Sequence, residues 1–92
     1  MTQQYLIGQF SVLLGDLGAP AGQWLTAVGK LRREVERSPV SMLPRLAREA
    51  MGLTDTICWA ALEQGDVSGF CGCARAAAEL REFADSAGLL RE

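Results

Sequence analysis

The stretch Ile57-Cys58-Trp59-Ala60-Ala61-Leu62-Glu63-Gln64-Gly65-Asp66-Val67-Ser68-Gly69-Phe70-Cys71-Gly72-Cys73 decides the fold. Glycine takes the left-handed backbone conformation that closes many helices, and Gly65 follows a run with helical periodicity. Asp66 comes next, with a carboxylate able to accept the first free N–H groups of a new helix. Helix, two-residue turn and helix therefore make a tight αα-hairpin, with helices expected over about 42–64 and 67–87.

Working outward, Leu43, Leu46, Ala50, Leu53 and Ile57 form the apolar stripe of the first of these helices, and Phe70, Cys73, Ala77, Leu80 and Phe83 that of the second. Ser41 suits an N-cap, because Pro44 then falls in the first turn, where its missing N–H costs no intrahelical bond. At the far end, Gly88 and Leu89 match a Schellman ending in which Leu89 folds back toward Phe83 or Ala84. Upstream, Trp24, Val28, Leu31 and Val35 repeat at helical spacing over about 20–37, until Ser38-Pro39 ends the run. Thr2 can cap an opening helix over about 3–17 with Leu6, Phe10, Leu13 and Leu17 on one stripe, and Gly18-Ala19-Pro20 reads as a stop and a restart. No segment reads as a strand. The fold class is all-α, one domain over 1–92: a four-helix up-down bundle, or a pair of helical hairpins completed by dimerisation.

Composition agrees. With 49% hydrophobic and 22% charged residues, the chain has enough apolar surface to offset its conformational entropy. A chain of 92 residues supports one core, and helical chains of this size often extend theirs through a two-fold axis. The net charge of −2 is unevenly spread: −1 over residues 1–19, +4 over 20–48 and −5 over 49–92. Such a balance supplies no overall field for nucleic acid or an anionic membrane. The basic segment, with Lys30, Arg32, Arg33 and Arg37, is instead a candidate for contact with an acidic partner. Residues 30–48 also hold the helix, turn and helix of a DNA-binding unit, but its second helix is rich in apolar residues and the chain is acidic. No basic segment leads into an apolar run and cleavage site, and no apolar stretch is long enough for a membrane span, so a cytoplasmic location is expected.

The absence of histidine removes the commonest general base and metal ligand, and with it Ser-His-Asp and Cys-His arrangements within the chain. No glycine-rich loop follows a strand to cradle phosphates. The expectation is a protein that is not an enzyme and needs no cofactor. Three cysteines do not complete a disulfide framework. Cys71 and Cys73 point about 200° apart on a helix. Cys58 and Cys73 lie equidistant from the Gly65-Asp66 turn and so share one level of the hairpin, where a disulfide or a shared metal is geometrically open, beside the plainer role of small buried hydrophobes. Glu79, Glu82 and Asp85, like Glu49 and Asp55, read as a solvated acidic face, because the Glu-x-x-His motifs of metal-binding bundles are missing. Trp24 and Trp59 read as packing residues, with an interface anchor the alternative for a tryptophan at a stripe edge.

The first helix is the segment best suited to association. From residue 1 to 29 only Asp16 carries a charged side chain, and Tyr5, Leu6, Phe10, Leu13, Leu14 and Leu17 cover more than one narrow stripe. These six are the expected interface of a homodimer. Gly8, Gly15, Gly22 and Gly29 recur every seven residues, a register that either reflects close helix approach or arises by chance. The leading functional expectation is a non-enzymatic protein–protein interaction module in a bacterial cytosol; the alternative is a bundle that binds a small ligand, metal or thiol through Cys58 and Cys73.

The opening Met1-Thr2-Gln3-Gln4-Tyr5-Leu6-Ile7-Gly8, together with Leu53-Thr54-Asp55, Cys58-Trp59, Gly65-Asp66, Glu82-Phe83 and Gly88-Leu89-Leu90, resembles a family of small all-helical actinobacterial proteins. Richness in alanine, glycine, leucine and arginine, with Lys30 the only lysine and no asparagine, fits a GC-rich bacterial source. The resemblance implies no catalytic residue, cofactor or partner.

Overall fold

The structure, a computed structural model, describes residues 3–18 and 24–90, with side chains in the first helix from residue 4 to residue 15. Four α-helices run in order: α1 (Gln3–Gly18), α2 (Leu25–Arg37), α3 (Leu43–Glu63) and α4 (Val67–Ser86). No strand occurs among the described residues. The Thr2 cap, the Ala19-Pro20 restart, the first turn expected of the second helix and Gly22 lie outside the described residues.

Each helix is placed by its apolar stripe. Phe10, Leu13 and Leu14 of α1, Val28, Leu31 and Val35 of α2, Leu43, Leu46, Ala47, Ala50 and Ile57 of α3, and Cys73, Ala76, Leu80 and Ala84 of α4 enter a single core. Neighbouring helices α1 and α2, and α3 and α4, pack side by side, and α4 closes against α1. Of these four seams that between α2 and α3 is the thinnest, and α1 and α3, which barely touch, occupy diagonal corners. One chain thus completes its own bundle, rather than leaving two hairpins to be joined by a partner. Phe10 meets Phe83 edge to face across the α1–α4 seam, with ring centroids 6.1 Å apart.

Two of the helix ends signalled by glycine, those at Gly65 and Gly88, form as expected. After α3, Gly65 has φ +72°; its N–H donates to the Leu62 carbonyl and that of Asp66 to the Ala61 carbonyl. After α4, Gly88 has φ +75°; its N–H donates to Asp85 and that of Leu89 to Ala84. Each is a complete Schellman motif, and Leu89 is drawn into the core. Asp66 caps α4, its Oδ1 accepting from the Gly69 N–H at 2.9 Å.

Three local expectations are corrected. Ser41 does not cap α3: it sits inside a 3₁₀ turn, Val40–Met42, that leads into the helix through Met42 without any side-chain cap. The buried stripe of α4 is Gly69, Cys73, Ala76, Leu80 and Ala84, rotated from the expected one, because small residues let α4 sit close to α3 and α1 while Phe70 and Phe83 flank the contact half-buried. The seven-residue glycine register marks no common helix approach. A Cβ on Gly8 would meet nothing within 4 Å, whereas one on Gly15 would lie 2.8 Å from the Arg32 guanidinium.

Candidate functional site

The six α1 residues expected at an interface divide. Phe10, Leu13 and Leu14 belong to the chain's own core, and Leu6 packs half-buried against it. This corrects the expected interface: a folded chain has already spent those side chains on α2 and α4. Tyr5 remains, 56% exposed, on a stripe with Gly8 and with Val12 at 55%. The side chain of Leu17 lies outside the described residues. Among the α1 residues whose side chains are described, the outward ones are therefore Gln4, Tyr5, Gly8 and Val12, none of them charged.

The basic segment divides too. Arg32 turns inward across α1, its Nε donating to the Ser11 hydroxyl at 3.2 Å, while that hydroxyl donates to Glu36 Oε1 at 2.7 Å. Gly15 leaves the room its guanidinium fills. Arg32 is thus a tie between α1 and α2 rather than a contact for a partner, a correction that sequence spacing within α2 could not supply. Lys30, Arg33 and Arg37 stay exposed. Arg45 pairs with Glu49 at 3.5 Å on the surface of α3.

No family model, curated protein or solved structure matches this chain.

The hairpin brings Cys58 and Cys73 together as their equal distance from the turn predicts. Cys58 Sγ donates to Cys73 Sγ at 3.1 Å, and Cys73 Sγ lies 4.0 Å from the Thr54 carbonyl. Cys73 is fully buried, Cys58 half-buried and Cys71 exposed, all three as free thiols. Burial first, and then the neighbouring Cys58, pushes the Cys73 thiol up to about 12. Among the described residues no three Cys, Asp or Glu side chains converge, so the pair does not complete the four-ligand set that a structural zinc requires. A groove of about 320 Å³ between α3 and α4 has Cys58 in its wall, with Met51 and Phe70 as apolar lining and Asp55 and Arg81 as charged lining.

Trp24 packs against the core, but Trp59 is 66% exposed, not the packing residue expected of it. Leu62 and Val67 are also exposed near the hairpin turn. The position of Trp59 one residue beyond Cys58, off the stripe Ala50-Thr54-Ile57-Ala61, was the signal available in the sequence.

Proposed function

We propose that this chain is a non-enzymatic protein–protein interaction module of a bacterial cytosol, working as a homodimer through the outward face of α1. The observation that carries this reading is the uncharged stripe Tyr5-Gly8-Val12 on a helix whose opposite face is already committed to the core. A two-fold axis lays a surface against itself, and a stripe without charge avoids the like-charge opposition that a charged helix would meet there. Open space beside Gly8 lets a second α1 approach closely. The absence of histidine from the chain, which removes the commonest general base, is the sequence feature that favours contact over catalysis. No described helix is long and apolar enough to cross a membrane. The exposed Lys30, Arg33 and Arg37 offer an acidic partner a second contact on α2.

Light scattering at micromolar to high micromolar concentration tests this. The unmodified chain should scatter at twice its 9.9 kDa, Val12→Glu at the single-chain mass with unchanged helical circular dichroism, and Trp59→Glu still as a dimer. Val12 is exposed, so its replacement should alter subunit stability by no more than about 0.5 kcal/mol. A monomer at all concentrations overturns the reading, as does a dimer lost through Trp59→Glu and kept in Val12→Glu.

A further inference from the structure

We propose that Cys58 and Cys73 are a thiol–disulfide exchange site, in which Cys58 takes up a low-molecular-weight disulfide from the α3–α4 groove and Cys73 resolves it into an intrachain cross-link. This site is independent of the α1 face. Three observations place the roles. The two sulfurs are already in contact at 3.1 Å across the hairpin, so bonding them requires only a local approach. Cys58 lines the groove and is partly open, whereas Cys73 is enclosed and does not line it. The third thiol, Cys71, is exposed but two positions from Cys73 on α4, so its side chain leaves the helix on another face. The groove suits a small organic disulfide that carries both carboxylate and ammonium groups, since Met51 and Phe70 offer apolar surface, Arg81 a cation and Asp55 an anion.

In the first step Cys58 Sγ, having lost its proton, attacks one sulfur of the disulfide R–S–S–R; a Cys58–S bond forms, the R–S–S–R bond breaks, and the departing thiolate takes up a proton as R–SH. In the second, Cys73 Sγ gives up its proton and attacks Cys58 Sγ; the Cys58–Cys73 bond forms and a second R–SH leaves. The two protein thiols are oxidised and one external disulfide is reduced to two thiols. Because burial holds the Cys73 proton firmly, attack begins at Cys58. The product ties α3 to α4 about two helical turns from the Gly65-Asp66 connection, and excess dithiol reverses it.

Oxidised glutathione is the probe, applied without oxygen to the full chain and to Cys71→Ser, with peptide mapping by mass spectrometry after alkylation of the remaining thiols. The expected result is a Cys58–Cys73 cross-link within one chain in both proteins, Cys71 alkylated in the unmodified chain, and a melting temperature higher by about 5 °C or more that returns to its starting value with dithiothreitol. Cys73→Ala, checked for helical content, should stop at a single glutathionyl group on Cys58. The proposal is overturned if Cys58 and Cys73 are still recovered alkylated after prolonged exposure to excess oxidised glutathione, whatever becomes of Cys71, or if cross-links form only between chains. No variant is needed for that decision, since the unmodified chain already gives it.

Discussion

Cys73 has no exposed surface, and its thiol is pushed from 9.0 to about 12, by burial first and by the Cys58 contact after it. Unfolding returns the thiol to water, where it ionises near its ordinary value. Between 9.0 and about 12 the unfolded chain therefore releases a proton that the folded chain keeps. The sign follows: stability contributed by the neutral thiol is fully present below 9 and is lost as pH rises toward 12. Urea unfolding across this range should show a decline for the reduced protein and a shallower one for Cys73→Ala. Equal slopes in the two proteins would mean that Cys73 ionises alike folded and unfolded. Another residue-scale detail concerns Gly69, where a Cβ would run into the Asp66 carboxylate. An apparent weak point in the first turn of α4 is what gives its N-cap room.

At the scale of a helix, α1 separates two jobs by single steps along the chain. Phe10 is enclosed and stacked edge-on against Phe83, while Val12 points away from the core. Phe10→Ala should cost about 3–5 kcal/mol and Val12→Ala less than about 0.5 kcal/mol, read from urea unfolding midpoints at dilute concentration. Similar costs at both positions would mean that α1 is not seated as described. What the sequence revealed follows the same division. Helix number, the Gly65-Asp66 turn and the Gly88-Leu89 ending were legible because their signals are local: a backbone conformation open to glycine and a carboxylate next to free N–H groups. The meeting of Cys58 and Cys73 was legible too, since a tight hairpin fixes which residues share a level. The rotation of α4 toward Gly69, Ala76 and Ala84 was not, because helix periodicity favours large apolar side chains while close packing selected small ones. Nor was the inward turn of Arg32, which depends on Gly15 of another helix.

For the whole molecule, the described residues span 40 × 22 × 18 Å with a radius of gyration of 12.7 Å, close to the roughly 13 Å expected of a compact chain of this length. Most packing joins helices adjacent in sequence, α1 with α2 and α3 with α4, and the α1–α4 seam is the extensive one between distant helices. Such local topology belongs to proteins that fold quickly, since few long loops must close before contacts form. The diagonal placement of α1 and α3 also keeps the two exposed apolar regions apart. The proposed pairing through Tyr5, Gly8 and Val12 would leave Trp59 and Leu62, which are exposed in the single chain, open on another flank. Acrylamide should accordingly quench Trp59 equally well in dimer and in the Val12→Glu monomer. Protection of Trp59 in the dimer would place the second copy on α3 instead.

The two Schellman endings carry a consequence of handedness. Gly65 and Gly88 hold φ +72° and +75°, a region that the Cβ of an L-residue makes costly and that a D-residue occupies by preference. Neither position has an atom within 4 Å of an added L-side-chain carbon, so the cost of L-alanine there is torsional rather than a collision. A chemically synthesised chain with D-alanine at Gly65 should keep both ends of the hairpin and lose less freedom on folding, becoming more stable by about 0.4–1 kcal/mol, whereas L-alanine at the same position should destabilise it. Opposite effects from mirror-image methyl groups would identify the turn by its chirality alone.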